Sequence, residues 1–362
     1  MRPSHALVDL GALRRNLRRA AHLAPGSKNI AVIKANGYGH GMEQVARTLG
    51  PEADALAVAT IDEAVALREA GIEGPLLVLQ GPHDATDIEE AAVRGLWLTL
   101  HEPGQVQRAS SSRHGPIRAW LKIDSGMHRL GVAPEEAPDA IEALLRSSEV
   151  KQAMVLCTHL ACADQLDSPV TETQLERFAA VTEGFDLPRS IANSAGIMHW
   201  PATRADWNRP GIMLYGCEPT GSFGADSELE AVMTVHSEII AVRDIAVGEG
   251  VGYGHRWRAA RPSRIGTISI GYGDGYPRHA PNGTPVWVKG KRAALVGTVS
   301  MDMITVDLTG RDDVRVGDPV ELWGTHVPVA EVAAHAGTIG YELLAGMTSR
   351  LPRVYVGDPA LT

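Results

Sequence analysis

Between about residue 28 and residue 215 the chain alternates short apolar runs with amphipathic stretches, and this rhythm restricts the fold more than any other feature. The runs are NIAVIK, ALAVAT, PLLVLQ, LWLTL, IRAWLKID, AMVLCTHL, RSIANS and, more weakly, RPGIMLYG. Helical patterns such as IDEAVALREAG and PDAIEALLRSS separate them; in the second, Ile141, Leu144 and Leu145 share a face. Strands joined by helical crossovers pair in parallel, because a parallel neighbour lies beyond the reach of a tight turn. A doubly wound sheet is compatible with this pattern, but eight repeats favour a (β/α)8 TIM-like barrel. Near residue 229 the pattern changes to short β-runs with glycine and proline turns, and only VAEVAAHAG reads as helical. The expected organisation is an α/β barrel over residues 1–228 followed by a mostly β domain over residues 229–362.

Composition excludes several classes of function. Lys and Arg total 34 against 43 Asp and Glu, a net charge of −9, which argues against a nucleic-acid or anionic-membrane surface. An anionic ligand must therefore be held by a local site. No window approaches the ~20 apolar residues of a membrane span. Cys157, Cys162 and Cys217 form no metal-ligand spacing and read as small hydrophobes of a reducing compartment, so no metal is expected. The N-terminus lacks an export h-region; Leu10, Leu13 and Leu17 recur at helical spacing between arginines. A cytoplasmic protein is expected.

In a barrel, chemistry gathers at the carboxyl ends of the strands. Those ends carry Lys34, then Tyr38 and His40; Lys122 and Asp124, then Arg129; Thr158 and His159, with Asp164 beyond; and Asn193 and Ser194; the eighth run opens with Arg209, Pro210, Gly211 and Ile212. A lysine ending an apolar strand is ordinarily a snorkelling residue, but a desolvated one suits Schiff-base chemistry. Neither G-x-G-x-x-G nor a P-loop follows the first run. The paired-glycine segments GYGHG and GYGDGY are, by themselves, tight turns.

VIKANGYGHG resembles the pyridoxal-phosphate lysine motif of the alanine racemases. LKIDSGMHRLGV, THLACAD, NSAG, RPGIMLYG, VGYGHRW, GYGDGYPR and VSMDMITVDL follow in that family's order, from about Val8 to the end. The related pyridoxal-phosphate homeostasis proteins share only the first domain, and VGYGHRW and VSMDM distinguish the chain from them.

The resemblance implies interconversion of L- and D-alanine with pyridoxal 5′-phosphate, which acidifies the substrate Cα–H. Lys34 would hold the cofactor and act as base on one face of Cα; Tyr253, from the partner subunit of a homodimer, would act on the other. Tyrosine ionises near pH 10 unless positive charge assists, and the family route is a hydrogen-bonded chain from Tyr253 through His159 to Arg209. Arg209 would also meet the pyridine nitrogen. Arginine does not release its proton, so the cofactor is weakened as an electron sink and decarboxylation is disfavoured. Tyr38, Ser194 and the amides of Gly211 and Ile212 match the family's phosphate cup; Ser194 alone reads as a helix N-cap. Arg129 and the Met301 amide would take the substrate carboxylate. Lys122 matches a lysine carbamylated in some members, and a Lys122–Asp124 pair is the simpler reading. Asp164, Tyr272 and Arg278 match the substrate entryway.

At Ser349, in MTSRLPR, several alanine racemases carry a tyrosine that narrows the pocket, so some turnover of serine is expected here. The alternatives are a racemase of broader specificity and a pyridoxal-phosphate-binding protein without turnover.

Overall fold

The computed structural model describes residues 2–112, 115–151, 154–222 and 228–357. Eight parallel strands, Lys28–Val32, Ala55–Val58, Leu76–Val78, Trp97–Leu100, Arg118–Lys122, Val155–Cys157, Arg189–Ser190 and Trp207–Asn208, close into a barrel. Closure is made by Lys28 and Asn29 pairing with Trp207 and Asn208. The seven expected runs from NIAVIK to RSIANS each contain a strand. The eighth does not: the strand ends before RPGIMLYG, and Ile212–Tyr215 forms a 3-10 turn instead. Pro210 has no N–H to give a ladder, which favours ending the strand there.

The barrel interior is packed. Rings of Trp97, Trp120 and Trp207 come from three different strands, with centroids 5.7 to 6.3 Å apart. Arg118 covers the Trp97 ring at 4.6 Å and Lys28 the Trp207 ring at 5.0 Å. Trp97 and Trp207 open their strands and Trp120 stands mid-strand; together the three rings fill the barrel toward its amino end, which leaves the other end for polar chemistry.

By packing, the chain divides into two compact units; the second begins at Tyr215 and also takes the chain up to Arg15 and the short segment Tyr38–Gly41. The reason is a strand that amphipathic periodicity hid: His5–Asp9 pairs antiparallel with Met233–Ile245 and parallel with Arg353–Val356. Ala6 and Val8 are fully buried there, and a two-sided partnership holds the strand in the sheet. The helix Leu10–Leu23 follows, with Leu10, Leu13 and Leu17 buried as the spacing predicts.

This second unit contains an eight-stranded sheet in the order Ser263–Ile268, Ile304–Asp307, Lys291–Leu295, Pro285–Val288, Pro319–Trp323, Met233–Ile245, His5–Asp9, Arg353–Val356. Met233–Ile245 also pairs with Ser263–Ile268, through a bulge between Ile239 and Ala241. The run AALVGTVSMDMITVDL is two strands separated by a turn that carries Met301. Val329–Ala336 is helical as expected, and a second helix, Gly340–Ala345, was not foreseen. All three cysteines are free thiols; Cys157 and Cys217 are buried and Cys162 is half-buried. Among the described residues no helix is long and apolar enough to cross a membrane, and no side-chain cluster could hold a metal.

Candidate active site

Lys34 stands two residues beyond the first barrel strand, and the chain after it turns in an unusual way. Ala35, Asn36, Gly37 and Tyr38 all have φ between +50° and +62°, and Gly39 has φ +80°. Left-handed backbone costs an L-residue about 1–2 kcal/mol, so Ala35, Asn36 and Tyr38 must be held there. Glu63 supplies part of that hold: Ala35 N–H donates to its Oε1 and Ala59 N–H to its Oε2, both at 2.7 Å. Met42 N–H donates to Asn36 Oδ1 at 2.9 Å, and Gly37 N–H to the Ile33 carbonyl at 2.9 Å.

The remainder of this loop is clasped within the second unit. Arg353 donates to the Gly39 carbonyl at 2.9 and 3.0 Å and to the carbonyls of Met347, Thr348 and Leu351 at 2.6 to 2.9 Å. A Cβ at Gly39 would lie 1.9 Å from the Leu344 carbonyl oxygen, so only glycine permits this approach. Tyr38 is buried, stacked on Tyr215 at 4.7 Å and tilted against Tyr341 at 6.1 Å. Burial raises its hydroxyl above the ordinary tyrosine range, so it is a neutral hydrogen-bonding group.

Lys34, Lys122, Arg129, His159 and Arg209 share one electrostatic neighbourhood at the carboxyl end of the barrel. Burial, and then the Arg129 guanidinium, lower the Lys34 amine below its ordinary value, against a smaller pull from Glu63. Burial, with Arg209 and Arg129, brings Lys122 down to about 8, against the opposing influence of Cys157 and Asp124. Burial and the same cations hold His159 well below the usual imidazole value, so its ring is neutral. Arg209 is buried and donates to Ser190 Oγ, to the Thr158 carbonyl at 2.6 Å and to the Ile191 carbonyl at 3.1 Å. Among the described residues it makes no hydrogen bond to His159. The two are coupled through space, and the expected hydrogen-bonded link is absent from the chain.

Lys122 does not pair with Asp124. That carboxylate is committed to a turn: Oδ1 accepts the amides of Gly126, Met127 and His128 at 3.0 Å, and Oδ2 faces His128 Nδ1 at 3.1 Å. Three amides satisfy the carboxylate better than one long lysine can; burial opposes its ionisation, but the His128 and Gly126 amides and the His128 ring outweigh it and lower its pKa. Arg129 follows this turn, exposed, with no hydrogen bond or ion pair among the described residues.

The segment NSAG begins the helix Ser194–His199, and its cap is Asn193, whose Oδ1 accepts Gly196 N–H at 3.0 Å. Ser194, expected as a possible cap, instead accepts the amides of Gly211 and Met213 at 2.9 and 3.3 Å. The Ile212 amide has no partner among the described residues. Ser194, Gly211 and Ile212 are thereby brought together.

In the other unit Tyr253 sits between Gly252 and Gly254, both left-handed, and is 74% exposed. Thr298 Oγ1 donates to its carbonyl at 3.0 Å. Met301, Tyr272 and Arg278 are exposed, as is Asp164 in the barrel unit. Met301 keeps a free amide among the described residues while its carbonyl accepts Gly273 N–H at 2.9 Å. Sequence reasoning missed Glu63, Arg353 and Asp274. The T-x-x-E pattern of Thr60–Glu63 was a signal for the first, although Glu63 reaches back to Ala59 and not to the cap itself.

Known proteins resemble the chain along nearly all of its length. The family model for the alanine racemase N-terminal domain matches residues 8–219, and that for the C-terminal domain residues 232–355. An alanine racemase of Pseudomonas taetrolens is 48% identical, covering 99% of this chain and 100% of its own. A catabolic alanine racemase of Pseudomonas putida is 47% identical with the same coverage. The crystal structure of a biosynthetic alanine racemase from Pseudomonas aeruginosa superposes with a TM-score of 0.95 at 46% identity, covering 98% of this chain and 100% of that one.

Proposed function

The chain belongs to the alanine racemase family, and on that premise we propose that it interconverts L- and D-alanine with bound pyridoxal 5′-phosphate. The observation that carries the reading is a lysine amine lowered by burial among cations, beside an uncommitted guanidinium at Arg129. That donor set calls for anions, and a phosphorylated cofactor and an amino-acid carboxylate supply them.

The residues fit the cofactor. Lys34 would anchor it, because an amine that loses its proton readily is a competent nucleophile. Ser194 and the Ile212 amide, unpartnered among the described residues, would hold the phosphate, with Tyr38 as a neutral donor and the Gly211 amide, now donating to Ser194 Oγ, turning to the phosphate once it is bound. Arg209, pinned by Ser190 and two carbonyls, would present a fixed charge to the ring nitrogen. When bound, the cofactor withdraws electrons from the substrate and acidifies Cα–H.

The chain's own groups do the rest. Lys34 holds or releases a proton on one face of Cα, and Tyr253 of a second subunit does so on the other. Exposure of Tyr253, Tyr272, Met301 and Met303 on one unit supports a homodimer with shared sites. Neutral His159 can accept a hydrogen bond from the tyrosine, and the cations around it favour the phenolate. Arg129 and the Met301 amide receive the carboxylate. Lys122, at about 8 and without a carboxylate partner among the described residues, has the free amine that carbamylation requires; the anion so formed would neutralise its cationic neighbours. Asp164, Tyr272 and Arg278 would line the entry route. Cytoplasmic residence is part of this reading.

The test is chiral analysis of product from L-alanine, with the visible absorbance of the cofactor followed in parallel. Loss of optical activity without keto acid, and loss of the absorbance in Lys34→Ala, are expected. Retained colour in that variant overturns the anchor assignment. Mixed Lys34→Ala and Tyr253→Phe subunits should regain activity; no recovery after proven subunit exchange overturns the shared site.

A further inference from the structure

The Met301 amide is proposed above to receive the substrate carboxylate, and something must hold it in place on an exposed turn between two strands. The carbonyl side of that turn is fully engaged. Tyr272 N–H donates to the Ser300 carbonyl at 3.1 Å and Gly273 N–H to the Met301 carbonyl at 2.9 Å. Arg350 Nη2 reaches the Met301 carbonyl at 3.4 Å, and Arg2 Nη2 the Asp302 carbonyl at 3.3 Å.

Both guanidiniums converge on one carboxylate. Asp274, whose side chain is completely buried, accepts from Arg2 at 2.5 and 2.6 Å, from Arg350 at 2.7 and 3.2 Å and from the Gly271 amide at 3.0 Å. Arg350 continues to the Asp302 carboxylate at 2.7 Å. Two arginines and two aspartates thus form a charge-balanced cluster around the turn. The glycines of GYGDGY let it close: a Cβ on Gly271 would fall 2.3 Å from the Ser300 carbonyl oxygen, and one on Gly273 3.1 Å from that of Met301. The outcome is a turn held by every carbonyl, with the Met301 amide left over.

We infer that Asp274 is a positioning residue for the reaction: through Arg2 and Arg350 it fixes the 300–302 turn so that the Met301 N–H stays aimed at the substrate carboxylate. The inference rests on the proposed role of Met301. The carboxylate carries the same charge in substrate and transition state, so loosening its docking weakens both alike. The signature is a raised KM with kcat preserved.

The experiment compares the holoenzyme with Asp274→Asn and with Arg350→Gln, the second at a partly exposed position where folding is less at risk. KM for L-alanine should rise about tenfold with kcat within about twofold, and the inhibition constant of propionate, which shares only the carboxylate, should rise by the same factor. Arg350→Lys should recover part of the loss. Unchanged KM and propionate inhibition in a folded variant overturn the inference, even if the melting temperature falls, as does a fall in kcat at constant KM. Absence of racemisation in the unmodified protein would instead refute the functional reading.

Discussion

Replacing Glu63 by Gln tests how the loop after Lys34 is held. Ala35, Asn36 and Tyr38 adopt left-handed backbone, costing together about 3 to 6 kcal/mol. Glu63 offsets this with two hydrogen bonds to an ionised acceptor, each contributing about 1.5–3 kcal/mol. Glutamine has one acceptor oxygen and turns an NH2 toward the other amide. The more buried Ala59 bond should keep the oxygen, and Ala35 should lose its partner to water. The loss at Ala35 is then about 2 kcal/mol, which is roughly a thirtyfold change in the local opening equilibrium. Amide hydrogen exchange reads this directly. Ala35 should exchange about thirtyfold faster in the variant, while Val32, bonded to the Pro210 carbonyl inside the barrel, should be unchanged. A displaced lysine should also cost roughly tenfold to a hundredfold in kcat/KM. Since Glu63 is the carboxylate that opposes the lowering of Lys34, the acid limb of the pH profile should move to lower pH. Equal protection of Ala35 in both proteins, with kcat/KM within twofold, would refute the reasoning.

Burial opposes ionisation of Asp274, but Arg2, Arg350 and the Gly271 amide outweigh it and bring the group down to about 2. Its contribution to stability should therefore be complete above the ordinary carboxylate pKa and fade as pH falls from about 4 to 2; urea titrations of Asp274→Asn should lack that dependence. Gly39→Ala places a Cβ against the Leu344 carbonyl at φ +80° and should cost at least about 3 kcal/mol in urea unfolding, where Gly26→Ala, with open space around it, should cost only about 1. Ser349 is exposed, and its side chain is shorter than the tyrosine of several family members; L-serine should be turned over detectably, and Ser349→Tyr should raise the alanine-to-serine ratio of kcat/KM by about 10-fold or more. Undetectable serine turnover at high enzyme concentration would remove that expectation.

Periodicity was sufficient for the barrel because each strand–helix repeat is written locally: apolar runs at one spacing, amphipathic faces at another. For the same reason Lys34, Lys122 and His159 could be placed at strand ends from the sequence, whereas Arg209, expected to open the eighth run, follows the eighth strand. The eighth strand was misplaced by a few residues because a two-residue strand has no period to read. The strand His5–Asp9 was overlooked for a different reason. Its partners, Met233–Ile245 and Arg353–Val356, lie more than 200 residues away in the chain, and no local pattern encodes them.

Residue types and order thus decided the family, the barrel and which side chains are available for chemistry. Tertiary structure alone decided how those side chains are charged and held. Lys122 could pair with Asp124 on paper, but three amides of the following turn claim that carboxylate, leaving the lysine among cations. Asp274 could be any turn aspartate until Arg2 and Arg350 close on it from opposite ends of the sequence. The physical reason is the same in both cases. A pKa or a hydrogen bond depends on neighbours within a few ångströms, and folding draws those neighbours from hundreds of residues apart.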